Sequence, residues 1–213
     1  MPSASRSDRE TVVRSACEMS RLGLSPGTSG NVSLRVADGF LITPSALPYG
    51  DTEPEDIVPV TGSGESLGSR RPSSEWRIHL DIYAARPDAG AVVHAHPPFS
   101  TTLACLEREI PPFHYMVAAA GGTSIRCADY ATFGTQALSD FALAALDGRR
   151  ACLLAHHGIL ALGKDLAAAL QLAVEVESLA QQYWQALVIT EPPLLSDSQM
   201  QEALDGFADY RPT

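Results

Sequence analysis

The stretch GAVVHAHPPFST, residues 90–101, restricts the fold more than any other part of the chain. Ala91, Val92 and Val93 form an apolar run too short for a helix, and Pro97 and Pro98 stop it, so a buried strand is expected. Side chains alternate across a strand, which sends His94 and His96 from the same face. Two imidazoles held that way can grip one metal ion, neutral imidazole being the commonest nitrogen ligand. The plainer explanation is that two polar residues mark the point where a strand leaves the core for solvent. A second apolar double run, ACLLAHHGILALG, is centred on HHG. A strand running through that centre puts His156 and His157 on opposite faces, leaving one of them able to join His94 and His96. Periodicity does not say which.

Around these runs, helices and short strands interleave. Val12, Val13, Ala16, Met19 and Leu22 follow helical spacing from Ser7 to Leu24, with Ser7 and Asp8 opening the helix. NVSLRV and GFLITP alternate and read as a hairpin with Asp38 and Gly39 at its turn. DIVPV is a further short strand. A helix is expected from PSSEW to about Ala85, others at residues 98–107 and from near Thr135, a long one from Asp165 to Ile189, and a last one from Ser196 to Tyr210. HYMVAAAGG reads as a short element ending in a glycine turn. The pattern predicts a single-domain layered α/β fold over residues 1–213. A chain of 213 residues with 45% hydrophobic content suits one core.

Composition narrows the function. A formal charge of -10 argues against nucleic acid, whose phosphates require clustered Lys and Arg. No apolar run approaches the ~20 residues of a membrane span, and MPSASRSDRE lacks the apolar segment of a secretory signal, so a cytoplasmic location and no membrane partner are expected. Cys17, Cys105, Cys127 and Cys152 are scattered, with no CxxC pair; they read as buried thiols. Three histidines with an open position describe a catalytic zinc site. Ser73 or Ser74 is a suitable helix cap, and a helix start attracts anions, so these serines suit a phosphate as well as a plain cap. GTSGN can likewise form a nest of amides for an anion, or simply a turn.

SPGTSGNVSLR, ITPSALPYGD, PSSEWRIHLDIYAARPDAGAVVHAH, HYMVAAAGGTSI, YATFGT and LLAHHGIL resemble, in order and spacing, class II aldolases of the L-fuculose-1-phosphate aldolase type, from about residue 8 to residue 210. The resemblance implies a mostly antiparallel central sheet flanked by helices, and reversible zinc-dependent cleavage of a ketose 1-phosphate, L-fuculose 1-phosphate or a related deoxyketose phosphate, to dihydroxyacetone phosphate and a short aldehyde such as L-lactaldehyde. It implies one Zn2+ per subunit on His94, His96 and His157, with Glu75 as acid/base and as a further ligand when substrate is absent. Thr28, Gly30, Asn31, Ser45, Ala46, Ser73 and Ser74 would take the phosphate, and Phe133 would shape the aldehyde end. Tyr115 and Tyr210 would enter from a neighbouring subunit of a homotetramer, with Tyr115 serving the aldehyde oxygen. The family often has glycine where this chain has Ala46, whose methyl is expected to crowd the phosphate.

The chemistry is consistent with these roles. Breaking a carbon–carbon bond beside a ketone leaves an enediolate, whose charge a Lewis acid stabilises while a carboxylate shuttles the proton. A Schiff-base mechanism would need a suitable lysine, and the single one, Lys164, falls in a solvated ALGKD turn. On the same scaffold the alternatives are an L-ribulose-5-phosphate 4-epimerase and a methylthioribulose-1-phosphate dehydratase. The adducin head is a non-catalytic alternative, and it predicts lost ligands, whereas Glu75, His94, His96 and His157 are all present here.

Overall fold

In the computed structural model, which describes residues 5–209, the apolar runs become the middle of a seven-stranded sheet. The strands are β1 (Asn31–Val36), β2 (Gly39–Ile42), β3 (Val58–Thr61), β4 (Ala91–Ala95), β5 (Cys127–Ala128), β6 (Ala151–Leu154) and β7 (Gly158–Gly163). Their spatial order is β3-β2-β1-β4-β7-β6-β5. Every pairing is antiparallel except β5 with β6. The expected mostly antiparallel α/β architecture is therefore the observed one.

Strand alternation divides the interior into two layers. Val32 of β1, Ala91, Val93 and Ala95 of β4, and Ile159 and Ala161 of β7 face one apolar cluster. It also contains buried residues of α1 (Arg6–Arg21), α3 (Pro98–Cys105), α5 (Leu166–Ile189) and α6 (Asp197–Asp209). Val92, Leu160, Cys152 and Leu154 face the other, against α2 (Trp76–Ala85) and α4 (Gln136–Ala145). β4 and β7 are apolar on both faces because both are covered, and each fully buried Val, Leu or Ile contributes roughly 1.5–3 kcal/mol. The α5 helix is capped by the Asp165 side chain and buries eight residues along its 24-residue length. It is the main brace of the first layer.

Several local expectations change. The N-terminal helix starts earlier than Ser7 and Asp8 suggest, because Ser5 and Asp8 form a reciprocal capping box. Its last apolar position, Leu22, is exposed, since the helix stops at Arg21. The β1–β2 turn is made by Ala37 and Asp38, and Gly39 already pairs with Val36; a side chain at Gly39 would strike the Val60 carbonyl. The thiols are not uniformly buried: only Cys152 is, and Cys105, the last residue of α3, sits one position past buried Leu103 and Ala104 and points to solvent. Among the described residues no helix is long and apolar enough to cross a membrane.

Candidate metal centre and substrate cavity

Antiparallel register places Asn31 of β1 directly opposite His94 of β4. Both leave the sheet on the α2 side, where Glu75 immediately precedes the helix. His96 lies just beyond the end of β4, and His157 lies in the three-residue turn between β6 and β7. Glu75, His94, His96 and His157 thereby converge, with one ligating atom from each lying within 4.8 Å of the others. His94 Nε2 is 2.9 Å from Glu75 Oε2, and His157 Nε2 is 3.2 Å from Glu75 Oε1. The three imidazoles stand nearly edge-to-face, with ring centroids 4.7–4.9 Å apart.

Two features of this cluster call for a cation. His94 and His96 aim their Nε2 atoms at each other across 2.8 Å, and the buried Glu75 Oε1 has no hydrogen-bond partner. Lone pairs from three imidazoles and a carboxylate thus point into one small volume, a donor set suited to a zinc-type divalent ion. The His94 ring is fixed for that purpose: Nδ1 donates to the Ile159 carbonyl at 2.9 Å, leaving Nε2 free as a ligand. Gly158 is required beside it, because a β-carbon there would meet the Ala95 carbonyl and the His96 ring.

The charges are mutually adjusted. Burial disfavours the Glu75 carboxylate, but the His94, His157 and His96 imidazoles outweigh it and hold Glu75 at about 2. Burial also works against the His94 cation, yet the Glu75 carboxylate wins and raises its pKa. Burial followed by the charge on His94 depresses the other two, His96 to about 3 and His157 to about 4. The cluster therefore presents an ionised carboxylate and two neutral imidazoles at neutral pH.

Beside it opens a cavity of about 350 Å³. Thr28, Gly30, Asn31, Ser45, Ala46, Ser73, Ser74, Glu75, Phe133, His96 and His157 all line it; His94 lies beneath, 1% exposed. The loops carrying Ser45 and Ser73 are zipped together by Ser45 N–H to Arg71 O and Ser73 N–H to Thr43 O, both 3.0 Å. Neither Ser73 nor Ser74 caps α2, contrary to expectation. Glu75 occupies the cap position, and its side chain is turned to the histidines; Ser73 Oγ instead accepts from the Glu75 N–H at 3.3 Å. Ala46 has φ +57°, a left-handed conformation that suits glycine and strains a β-carbon. Among the described residues no Lys or Arg lines the cavity, so hydroxyls and backbone amides are what they offer to an anion.

Both histidines of HHG reach this cavity, contrary to the opposite-face expectation. The segment is a turn, not a strand, and His156 takes φ +55° to make it. Its ring is edge-on to Tyr130, and its Nε2 is 3.1 Å from Glu107. Tyr130 and His156 line the cavity without having been marked as such in the sequence: Tyr130 carries no spacing signal, and His156 is brought in by a turn between two apolar runs that has no Asn or Pro to announce it. Tyr115 is not brought to the cluster. It is 54% exposed, stacks on Phe207, and lines a separate apolar cavity with Met116, Ala203 and Gly206. Tyr210 lies outside the described residues.

Comparison with known proteins agrees with this arrangement. Residues 10–184 match the model of the Class II Aldolase and Adducin N-terminal domain. The chain is 56% identical over 210 residues to the 5-methylthioribulose-1-phosphate/5-deoxyribulose-1-phosphate aldolase of Rhodospirillum rubrum, covering 99% of this chain and 95% of that protein. It is 50% identical over 200 residues to the L-fuculose phosphate aldolase of Escherichia coli, covering 93% of each. A solved L-fuculose 1-phosphate aldolase superposes with a TM-score of 0.93 at 38% identity, over 96% of this chain and 98% of that one. With the fold, four candidate ligands and full-length relatives in agreement, the chain belongs to the class II aldolase and adducin family, as an aldehyde-lyase of the class II aldolase kind.

Proposed function

We propose that this aldolase reversibly cleaves L-fuculose 1-phosphate or a related deoxyketose 1-phosphate to dihydroxyacetone phosphate and a short aldehyde. The observation that carries the reading is the joining of an ionised, buried Glu75 to three imidazoles at the wall of a hydroxyl-lined cavity. Glu75, His94, His96 and His157 would hold one zinc ion per chain, which when bound supplies Lewis-acid stabilisation of negative charge on the ketone oxygen. Glu75 moves the proton at the dihydroxyacetone carbon, since it is the single carboxylate in the cluster. Asn31 and the Thr28–Gly30, Ser45–Ala46 and Ser73–Ser74 backbones and hydroxyls receive the phosphate. Phe133, with Tyr130 and His156, borders the aldehyde end.

The relatives favour a ribulose-type substrate as much as a fuculose-type one. The Rhodospirillum protein is named for 5-methylthioribulose and 5-deoxyribulose 1-phosphates, the Escherichia protein for L-fuculose phosphate. These ketoses share the dihydroxyacetone phosphate half and differ beyond the cleaved bond, so Phe133, Tyr130 and His156 are where choice is exercised. We place Tyr115 and Tyr210 in the site of a neighbouring copy within a closed homotetramer, with Tyr115 protonating the departing aldehyde oxygen. Support for this is the exposure of Tyr115 in the single chain. A panel of 5-methylthioribulose, 5-deoxyribulose and L-fuculose 1-phosphates, read by coupled dihydroxyacetone phosphate formation, tests the assignment. Zinc-loaded protein that releases dihydroxyacetone phosphate from none of them overturns it; release of water or a C4 epimer instead would favour a dehydratase or epimerase.

A further inference from the structure

Behind Glu75, running from Asn31 at the cavity wall into the core, lies a row of buried polar groups, and no step of the reaction uses its inner members His79, Ser33 and Tyr83. His79 is one turn along α2 from Glu75, and Tyr83 is one turn further, so all three share a helix face. Asn31 and Ser33 are two apart on β1 and face the same way, toward α2. Asn31 Nδ2 donates to Glu75 Oε2 at 3.1 Å. His79 Nε2 lies 2.5 Å from Asn31 Oδ1, and His79 Nδ1 lies 2.6 Å from Ser33 Oγ. Ser33 Oγ is in turn 2.7 Å from the Tyr83 hydroxyl. His79 and Ser33 are wholly excluded from solvent, and Asn31, Glu75 and Tyr83 nearly so.

Donor and acceptor roles along this row leave one consistent solution. An ionised carboxylate accepts only, so the Asn31 amide must turn its NH2 to Glu75 and its oxygen to His79. His79 must then carry its proton on Nε2, which leaves Nδ1 as an acceptor for the Ser33 hydroxyl. Ser33 accepts from Tyr83. Every hydrogen bond thus points from Tyr83 toward Glu75, and reversing any one leaves two donors or two acceptors face to face in the core. Burial and the nearby His94 charge, against the Glu75 carboxylate, hold His79 at about 3, so it stays neutral as the row requires.

We infer that His79 is a positioning residue: braced by Ser33 and Tyr83, it sets the Asn31 amide and through it the orientation of Glu75 at the metal centre. The inference rests on Glu75 serving a bound metal as proposed above. A carboxylate flanked by imidazoles on one side has two equivalent oxygens; the Asn31 amide removes that freedom by engaging Oε2 and leaving Oε1 toward His157. Replacing the relay with apolar groups would leave Asn31 Oδ1 without a donor and allow the amide to rotate, turning its oxygen against the carboxylate.

The test uses the full-length protein with zinc as the probe, titrated against a chromophoric chelator, with thermal unfolding measured in the presence of chelator and of zinc. His79→Phe should weaken zinc binding by about 10–100-fold, the range for lost outer partners of metal ligands. His79→Gln, which keeps a donor and an acceptor, should recover most of it. The rise in Tm on adding zinc should shrink for His79→Phe and return for His79→Gln. A purely structural histidine predicts otherwise: a lower Tm in chelator with wild-type zinc affinity, and that result overturns the inference. If His79→Phe does not fold, Ser33→Ala and Tyr83→Phe remove one oxygen each from the far part of the row. Wild-type zinc affinity in both would likewise overturn it, and weakened affinity would support it. Wild-type protein that binds zinc but cleaves no ketose 1-phosphate breaks the proposed function and leaves the affinity comparison to decide the relay.

Discussion

The cluster around Glu75 and the surface around Tyr115 differ in how much of a site one chain completes. At the first, a strand, a hairpin turn and a helix start bring together four candidate ligands, and the sheet register fixes the supporting Asn31 opposite His94. Its members are largely buried, so their geometry is settled by packing before any ligand arrives. At the second, Tyr115 begins a 3-10 helix, lies against α6, and shows half of its surface. Its cavity is lined by Met116, Ala203, Gly206 and Phe207 and, among the described residues, shares none with the one beside the candidate ligands. Metal binding is therefore expected to be a property of the chain, and aldehyde protonation a property of an assembly.

The largest expected effect bears on the first half of that contrast. His94→Ala removes a ligand and the ring that Ile159 and Glu75 fix, so zinc content after dialysis should be lost and cleavage should fall on the order of 10³-fold or more. Elemental analysis and initial rates check it; full metal content with full activity would show that the cluster is not the metal centre. Next in size, Tyr115→Phe should slow cleavage by roughly 10²-fold or more without loss of zinc, as expected for removing a general acid. Glu75→Gln should also be slow, by about 10² to 10⁴-fold, through loss of the base. Refolding the two together should restore activity, because mixed assemblies contain sites with both wild-type residues. No restoration, or a fully active monomer in light scattering, would place Tyr115 outside a shared site.

The smallest effect is on pH dependence. His94 has a raised pKa in the free cluster, whereas His96 and His157 at about 3 and 4 are already neutral near pH 7. A metal must displace the His94 proton, so zinc affinity should rise about tenfold per pH unit up to the His94 pKa and level off above it. A slope near three protons in the same range, measured by chelator competition, would show that the imidazoles titrate together. The sign for folding is opposite. The raised His94 pKa stabilises the metal-free protein; that contribution is fully present below the unfolded imidazole pKa and is lost as pH rises through the higher folded one. Glu75, held at about 2, stabilises above the unfolded carboxylate pKa and is lost only in strong acid.

Much of the architecture was legible because strand and helix periods are local. Apolar runs 91–93 and 151–162, the i, i+4 pattern of α5 and the Asp165 cap each declare their element without reference to the rest of the chain. HAH was legible for the same reason, since alternation alone puts both rings on one face. The HHG turn was not, because two apolar strands joined by three residues look like one longer strand until they pair antiparallel. Ser73 and Ser74 read as caps by residue type, but the cap position went to Glu75, whose side chain finds stronger partners in the histidines.

By itself, then, the sequence determined the layered α/β class, the two histidine motifs, the place of Glu75 at the start of a helix and the absence of a plausible Schiff-base lysine. These follow from spacing and chemistry along a short stretch. Periodicity left both histidines of HHG open; the tertiary structure brings His157 to Glu75, His94 and His96 and lets its neighbour still line the cavity. The same holds for the face-to-face meeting of Asn31 and His94, and for the alignment of Tyr83, Ser33, His79 and Asn31 behind Glu75. Each of those depends on strand register and helix placement between segments dozens of residues apart, where a shift of one residue would turn every side chain to the other face.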